Sequence, residues 1–254
     1  MPILEVNNVK KTYTSRFGGN KAEALKNVSF TAEKGEYIAI MGESGSGKTT
    51  LLNILAALDK PTGGSVILDG TNLSKVKEKD AAAFRRNNLG FVFQDFNLLD
   101  TFTARDNILL PLVLTGMDHR SMEKKLAPVA EKLGVADILD KYPYEISGGQ
   151  KQRTAAARAI ITEPKMLLAD EPTGALDSKA ADGLLSVFSR LNEGGQTILM
   201  VTHSVKAASH ANRILFIKDG EVFHQIYRGE CGNDELYRKI SDTLTLIASG
   251  GGVQ

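Results

Sequence analysis

Gly42-Glu43-Ser44-Gly45-Ser46-Gly47-Lys48-Thr49 is the stretch on which the fold turns. It fits G-x-x-x-x-G-K-[ST] and stands between a short apolar run, Tyr37–Met41, and a segment of helical composition, Lys48–Ala57. Glycines let a backbone curl so that successive N–H groups point inward and meet phosphate oxygens. A helix starting on such a loop adds its positive N-terminal end. The pattern predicts a nucleotide site formed by Gly42 to Gly47, Lys48, Thr49 and Thr50, with Lys48 on the β- and γ-phosphates and the Thr49 hydroxyl on Mg2+. The bland alternative is a glycine-rich turn that happens to precede a lysine. The strand before it and the helix after it count against that.

A second stretch answers the first. Met166-Leu167-Leu168-Ala169-Asp170-Glu171 is an apolar run ending in two carboxylates. Open α/β sheets bind ligands beyond the C-terminal ends of their strands, so such a strand delivers both carboxylates where they are needed. Asp170 is expected to hold the Mg2+ shell, and Glu171 to act as general base toward an attacking water. Alone, an apolar strand before Asp-Glu is a common surface pattern. The loop upstream gives it meaning.

Strand-like runs recur at Ile3–Val9, Ala24–Ala32, Ser65–Leu68, Leu89–Phe93, Thr197–Val201 and Arg213–Ile217, with a helix over Ser178–Asn192. Strands alternating with helices predict an α/β fold with a mostly parallel sheet covered on both faces. Ser15–Glu23, containing Gly18-Gly19-Asn20, reads as an exposed loop or hairpin, and Asp219-Gly220 as a hairpin turn into Glu221–Tyr227. From Phe96 to Tyr142 the strand pattern lapses while Asp118–Leu139 is helical in composition. Residues 96–163 therefore read as a mostly helical subdomain inserted in the α/β body. The pattern is not duplicated, so residues 1–229 form one domain. The tail, 230–254, holds a short helix over Asp234–Leu246 before a flexible Gly250-Gly251-Gly252.

Bulk properties narrow the function. The 254 residues are 42% hydrophobic and 24% charged, an ordinary globular balance. Lys and Arg number 31 against 30 Asp and Glu, so no global field draws in nucleic acid or an anionic membrane. The single cysteine, Cys231, excludes an internal disulfide and fits a reducing cytoplasm. No signal peptide and no membrane-spanning apolar run are expected, so a membrane task needs another chain.

The remaining motifs resemble those of the ATP-binding cassette (ABC) family. Ile146-Ser147-Gly148-Gly149-Gln150 is similar to its signature motif, with Ile where Leu is usual. Gln94 resembles the Q-loop glutamine, Gly174-Ala175-Leu176-Asp177 the D-loop, His203 the switch histidine, and Tyr13 the aromatic that stacks on adenine. The resemblance spans residues 3–228 and implies a P-loop NTPase cassette with an N-terminal antiparallel β subdomain and an inserted helical subdomain. It implies ATP hydrolysis with ATP and Mg2+, catalytic roles for Glu171, His203 and Gln94, and metal binding by Thr49, Gln94 and Asp170. Independently of the family, Ser147-Gly148-Gly149 opens a helix over Gln150–Ile161, and a serine with N–H groups at a helix start is a second anion site. The same residues are also an ordinary serine N-cap. The family's arrangement is a head-to-tail dimer, in which Ser147, Gly148, Gly149, Gln150 and Asp177 act on the partner copy's ATP.

Repair and chromosome ATPases of this family carry a long coiled coil between the two loops. Lys48 to Ser147 holds no sustained heptads, and translation-type members carry two cassettes in a chain. A transport motor is therefore favoured over a soluble ABC protein. Gln94–Thr103, Asn107–Leu112, Asp140–Arg153, Asp170–Ser178 and the terminal Gly-Gly-Val-Gln resemble the bacitracin- and lantibiotic-resistance (Bce-type) ATPases. That resemblance implies a large separate permease, a sensor histidine kinase reached through it, and a place on the cytoplasmic face of the membrane. A lipoprotein-release or macrolide-export motor is the alternative. Phe96, Leu98 and Leu99 are either core or the place that receives a permease's coupling helix. His119, His210 and His224 lack a ligand cluster, Cys231 reads as an inert thiol, and Lys75–Asp80 and Glu123–Lys125 as solvated faces.

Overall fold

The structure is a computed structural model and describes residues 2–14 and 21–248. Its elements run β1 (Leu4–Thr14), β2 (Lys21–Ala32), β3 (Tyr37–Met41), α1 (Lys48–Leu55), β4 (Gly63–Leu68), β5 (Thr71–Asn72), α2 (Glu78–Asn88), β6 (Leu89–Val92) and α3 (Ala104–Val113). They continue α4 (His119–Leu133), α5 (Gly148–Ile160), β7 (Met166–Asp170), α6 (Ser178–Glu193), β8 (Thr197–Val201), α7 (Val205–Ala208), β9 (Arg213–Lys218), β10 (Glu221–Tyr227) and α8 (Asn233–Ala248). The chain divides into two compact units, residues 1–77 with 197–254, and residues 78–196.

In the first unit the strands lie in the order β5-β4-β1-β2-β10-β9-β3-β8. β1 pairs antiparallel with β2 and β4, which is the expected N-terminal antiparallel layer. β3 pairs parallel with β8 and with β9. Every residue of β3 and β8 is buried, because a parallel strand covered on both faces has no solvent side. β10 instead alternates exposed and half-buried residues, and it returns from β9 through Asp219 and Gly220, both at positive φ. That is the turn chemistry a two-residue hairpin requires, as the Asp-Gly pair predicts. The tail helix α8 buries Leu236 and Ile240 completely and packs against α7. The predicted loop over Ser15–Glu23 falls mostly on residues 15–20, outside the described residues, with Lys21–Glu23 already in β2; Gly250–Gly252 also lie outside them.

The second unit pairs β6 parallel with β7 and packs α3, α4 and α5 on one another, with α5 also against β6 and α6. Those three helices fill the stretch read as a helical insertion. The helix expected over Asp118–Leu139 stops at Leu133, because Gly134 adopts the left-handed conformation at its C-cap; a single 3-10 turn follows at Ala136–Ile138. Two helices are additions to the sequence reading. α3 is announced by a Thr103–Asp106 capping box, but its residues are apolar nearly all round and give no amphipathic period. α2 begins within the charged run and buries only Ala81, so its solvated character stands while its helicity is new. The run Glu123–Lys125 is corrected in part: Glu123 accepts from Arg105 at 2.7 Å, and Arg105 also reaches Asp140 at 3.3 Å.

Candidate nucleotide site

In the first unit, β3 delivers the glycine-rich loop and α1 leaves it. Gly47 stands at the N-cap with φ +102°, offers no side chain to the first-turn amides, and no acidic residue follows in that turn. A helix end with no side-chain cap and no carboxylate in its first turn suits an anion. Ser46 Oγ is buried and has no hydrogen-bond partner among the described residues, and so suits a ligand oxygen as well. Lys48 Nζ donates to the loop carbonyls of Gly42 and Glu43, each at 2.7 Å, which holds the ammonium over the loop's concavity. These features fit a polyphosphate. Thr49 is exposed at the first turn, and Thr50 half-buried behind it.

Tyr13, near the end of β1, is 42% exposed, and its hydroxyl donates to Asp59 Oδ2 at 3.0 Å. Lys11, two residues back on the same face, donates to Asp59 Oδ1 at 2.6 Å and places its ammonium 4.9 Å from the Tyr13 ring centre. Partial burial works to raise the Asp59 carboxyl, but bonds from Lys11, the Lys60 amide and Tyr13 outweigh it and hold the carboxyl below its usual range. The aromatic ring is thus fixed at its edge and accessible on its surface. His203 is exposed just beyond β8, between Thr202, whose hydroxyl accepts from Ser204 N at 3.0 Å, and Ser204, which caps α7.

In the second unit, β7 ends in Asp170, and Glu171 follows at φ +45°. Left-handed backbone costs a glutamate about 1–3 kcal/mol and concentrates at functional positions. Glu171 O accepts from Gly174 N at 2.9 Å, closing the turn that carries it. Gln94 is exposed after β6 and lies against Gly174, where an added Cβ would meet Gln94 Cδ at 2.9 Å. Two residues of α5 secure these loops. Gln152 donates to Phe93 O at 2.9 Å and to Pro172 O at 2.7 Å. Arg158 donates to Asn97 O at 2.6 Å and to Phe96 O at 3.0 Å, and burial lowers its pKa. Neither residue was singled out in the sequence. The available signal was phase: Gln152 shares a helix face with Ala155, Ala156 and Ala159, all buried, so its amide had to be buried too.

Ser147 caps α5, accepting from Gln150 N at 3.3 Å while Gln150 Oε1 accepts from Ser147 N at 2.9 Å. The ordinary N-cap reading therefore holds, and the hydroxyl, used as an acceptor, keeps its proton for another partner. Asp177 likewise caps α6, accepting from Ala180 N at 2.8 Å.

A family model described as ABC transporter matches residues 25–174. The chain belongs to the ABC transporter family. It is 49% identical to the bacitracin export ATP-binding protein BceA of Halalkalibacterium halodurans, covering 100% of this chain and 99% of the relative. It is 42% identical to the macrolide export ATP-binding/permease protein MacB of Neisseria gonorrhoeae, over 87% of this chain and 34% of the relative. A dimeric ATP-binding cassette in a post-hydrolysis state, bound to ADP and Pi, has a TM-score of 0.79 at 39% identity, over 88% of this chain and 98% of the other. As an ABC ATPase the chain binds ATP and hydrolyses it in the service of transport.

Beyond the nucleotide motifs, this ABC chain carries an apolar surface on its second unit. Phe96 and Leu98 are half-buried, while Leu99 is 44% and Leu114 62% exposed. The fully buried Asn107 pins the strip from within: its Oδ1 accepts from Leu99 N, and its Nδ2 donates to Leu99 O, Phe102 O and Thr103 O. Among the described residues no helix is long and apolar enough to cross a membrane. No group of three or more His, Cys, Asp and Glu that could hold a metal gathers among those residues.

Proposed function

We propose that the chain is the Mg-ATP-driven motor of a transporter giving resistance to bacitracin- or lantibiotic-like peptides. The observation that carries this is the 49% identity to a bacitracin export ATP-binding protein, running the whole of this chain, α8 included. The 42% identity to a macrolide exporter keeps a macrolide-export or lipoprotein-release motor as the second reading.

In this reading residues 1–229 are one cassette, with the helical subdomain over about 96–163 inserted in it, and 230–254 are an appended tail. Lys48 and the amides and hydroxyls of Gly42 to Thr50 hold the phosphates, and Tyr13 holds the base. Thr49, Gln94 and Asp170 hold Mg2+, whose charge offsets that of the phosphates. Glu171 takes the proton of the attacking water, with His203 and Gln94 ordering the same reaction. Ser147, Gly148, Gly149, Gln150 and Asp177 serve the nucleotide of a second copy. The dimeric state of the related cassette with ADP and Pi supports that assembly. The exposed strip around Leu99 receives a large permease, through which the chain works at the cytoplasmic face of the membrane and reaches a sensor histidine kinase.

The test is complementation. A strain lacking the chain becomes sensitive to bacitracin or a lantibiotic, and wild type but not Glu171→Gln restores resistance. The purified Glu171→Gln chain keeps ATP binding and loses turnover by roughly 10²–10⁴-fold. Sensitivity to macrolides alone would move the assignment to the second reading, and near-normal turnover of Glu171→Gln would remove that residue from its role.

A further inference from the structure

Gln152 lies on α5, the helix that starts at Ser147, and is fully buried. Its two bonds end on Phe93 O, the residue before Gln94, and on Pro172 O, the residue after Glu171. One amide thus joins the helix of the signature loop to the loop after β6 and the turn after β7, all within the second unit. The amide orientation follows from its surroundings, because a flipped group would set Oε1 against two carbonyl oxygens. Its Oε1 is then buried with no partner among the described residues. A half-satisfied buried amide is a poor device for stability, since an unpaired acceptor bears its full desolvation cost. It is a good device for geometry, because one planar NH2 group meets two carbonyls at fixed distances.

We propose that Gln152 is a positioning residue for ATP hydrolysis, linking the state of the Ser147 end of α5 to the placement of Gln94 and Glu171. The proposal rests on the reading of Glu171 as general base. Gln152 touches no nucleotide in this scheme. When α5 shifts, Phe93 O and Pro172 O shift with it, and the two side chains flanking them are carried along. Arg158, further along the same helix, secures Phe96 O and Asn97 O, so the segment bearing Gln94 is held on both sides by one helix. Glu171, at positive φ, has only a narrow conformational well in which to adjust by itself. Its orientation is therefore sensitive to where Pro172 is anchored.

The experiment measures steady-state ATP hydrolysis and equilibrium binding of a fluorescent ATP analogue for the full chain. Gln152→Leu fills a similar volume and removes both bonds. It is expected to lower kcat by about 10–100-fold while KM and analogue binding stay within about threefold. Gln152→Glu adds a pH signature: its carboxylate faces two carbonyls and its protonated form can donate again. The kcat of Gln152→Glu relative to wild type should rise as pH is lowered from about 8 to about 6, given a buried carboxyl that titrates high. In the Glu171→Gln background, Gln152→Leu should cost clearly less than it does in wild type, because one of the two groups it positions is already gone. A full and independent loss in that background would overturn the proposal, as would a loss in binding rather than kcat. A flat pH ratio for Gln152→Glu would overturn it even if Gln152→Leu failed to fold. Failure of the base assignment shows separately, as normal turnover of Glu171→Gln alone.

Discussion

Two helices of this chain begin on glycine-rich loops, and they begin differently. α1 starts behind Gly47 with no side-chain cap and no carboxylate in its first turn. α5 starts behind Ser147, where a reciprocal box with Gln150 is already closed. The first helix end has no side-chain cap, and the second is capped within the subunit. A phosphate at α1 would therefore complete local structure, and the proposed site has its affinity there. At α5 the phosphate of the proposed dimer would be met only by what the box leaves over, chiefly the Ser147 hydroxyl proton. Such an end can meet and release a phosphate each cycle without unfolding between times.

The comparison is broken most directly at Gly47. Its φ of +102° is left-handed territory, and a Cβ there would stand 2.4 Å from Ala24 O. Gly47→Ala must therefore move the loop, and ATP-analogue affinity should fall by about 100-fold or more, the equivalent of about 3 kcal/mol. Lys48→Ala keeps the loop but deletes charge-assisted contacts, and should weaken binding by about 10–100-fold. Equilibrium titration of both variants checks this. Normal affinity in Gly47→Ala would mean that the α1 end was not shaped for a phosphate.

At α5 the neighbouring glycines separate packing from function. A Cβ on Gly148 would meet Leu176 Cδ2 at 3.6 Å and Phe96 Cζ at 3.8 Å, ordinary contacts, whereas one on Gly149 would stand 2.9 Å from Ala180 Cβ. Gly148→Ala should keep the thermal midpoint and ATP binding of wild type but lose about tenfold in turnover, because its methyl would intrude on the phosphate that the proposed dimer brings to this loop. Gly149→Ala should lower the midpoint as well, since α5 and α6 must separate slightly. Unchanged turnover in Gly148→Ala would argue that this loop meets no phosphate.

The parts of the fold carried by continuous burial were legible from sequence. Tyr37–Met41 and Thr197–Val201 are strands at the bounds their apolar runs suggest, since five apolar or β-branched residues between glycines and turns are too short for a buried helix and fit a strand covered on both faces. Legibility failed where burial lost its period. α3 is apolar on most sides, so only its Thr103–Asp106 cap marked it. α4 ended early at Gly134, a stop signal outweighed by the apolar residues beyond it. At the site, the loop and both carboxylates could be read because their spacing is local. For Gln152 only burial could be read, from helix phase; its partners, Phe93 and Pro172, are 59 and 20 positions away. Asp59 behind Tyr13, which is 46 positions off, could not be read. Residues that act through distant backbone carbonyls leave no local pattern. The strained backbone of Glu171 was equally silent, since a glutamate gives no warning of positive φ.

The smallest effect is the sharpest check on the difference between the two helix ends. Ser147→Ala removes the acceptor that satisfies Gln150 N and should cost about 1 kcal/mol, while Ser147→Thr keeps an equivalent oxygen and should cost little. In a chain of this length, 1 kcal/mol is a fall of about 2–4 °C in thermal midpoint. No such cost has a counterpart at α1, whose N-cap glycine has no side chain to delete. ATP should instead raise the midpoint there, by the equivalent of about 2.7 kcal/mol at a hundredfold excess over its Kd. The two quantities should be independent in the isolated subunit. ATP should then raise the Ser147→Ala midpoint by as much as it raises that of wild type, from a lower starting value. Scanning calorimetry with and without ATP reads both at once. A Ser147→Ala midpoint equal to wild type would show that the box does not hold α5 closed. An ATP shift that shrinks in Ser147→Ala would show that the two ends already share their ligand before a second copy is engaged.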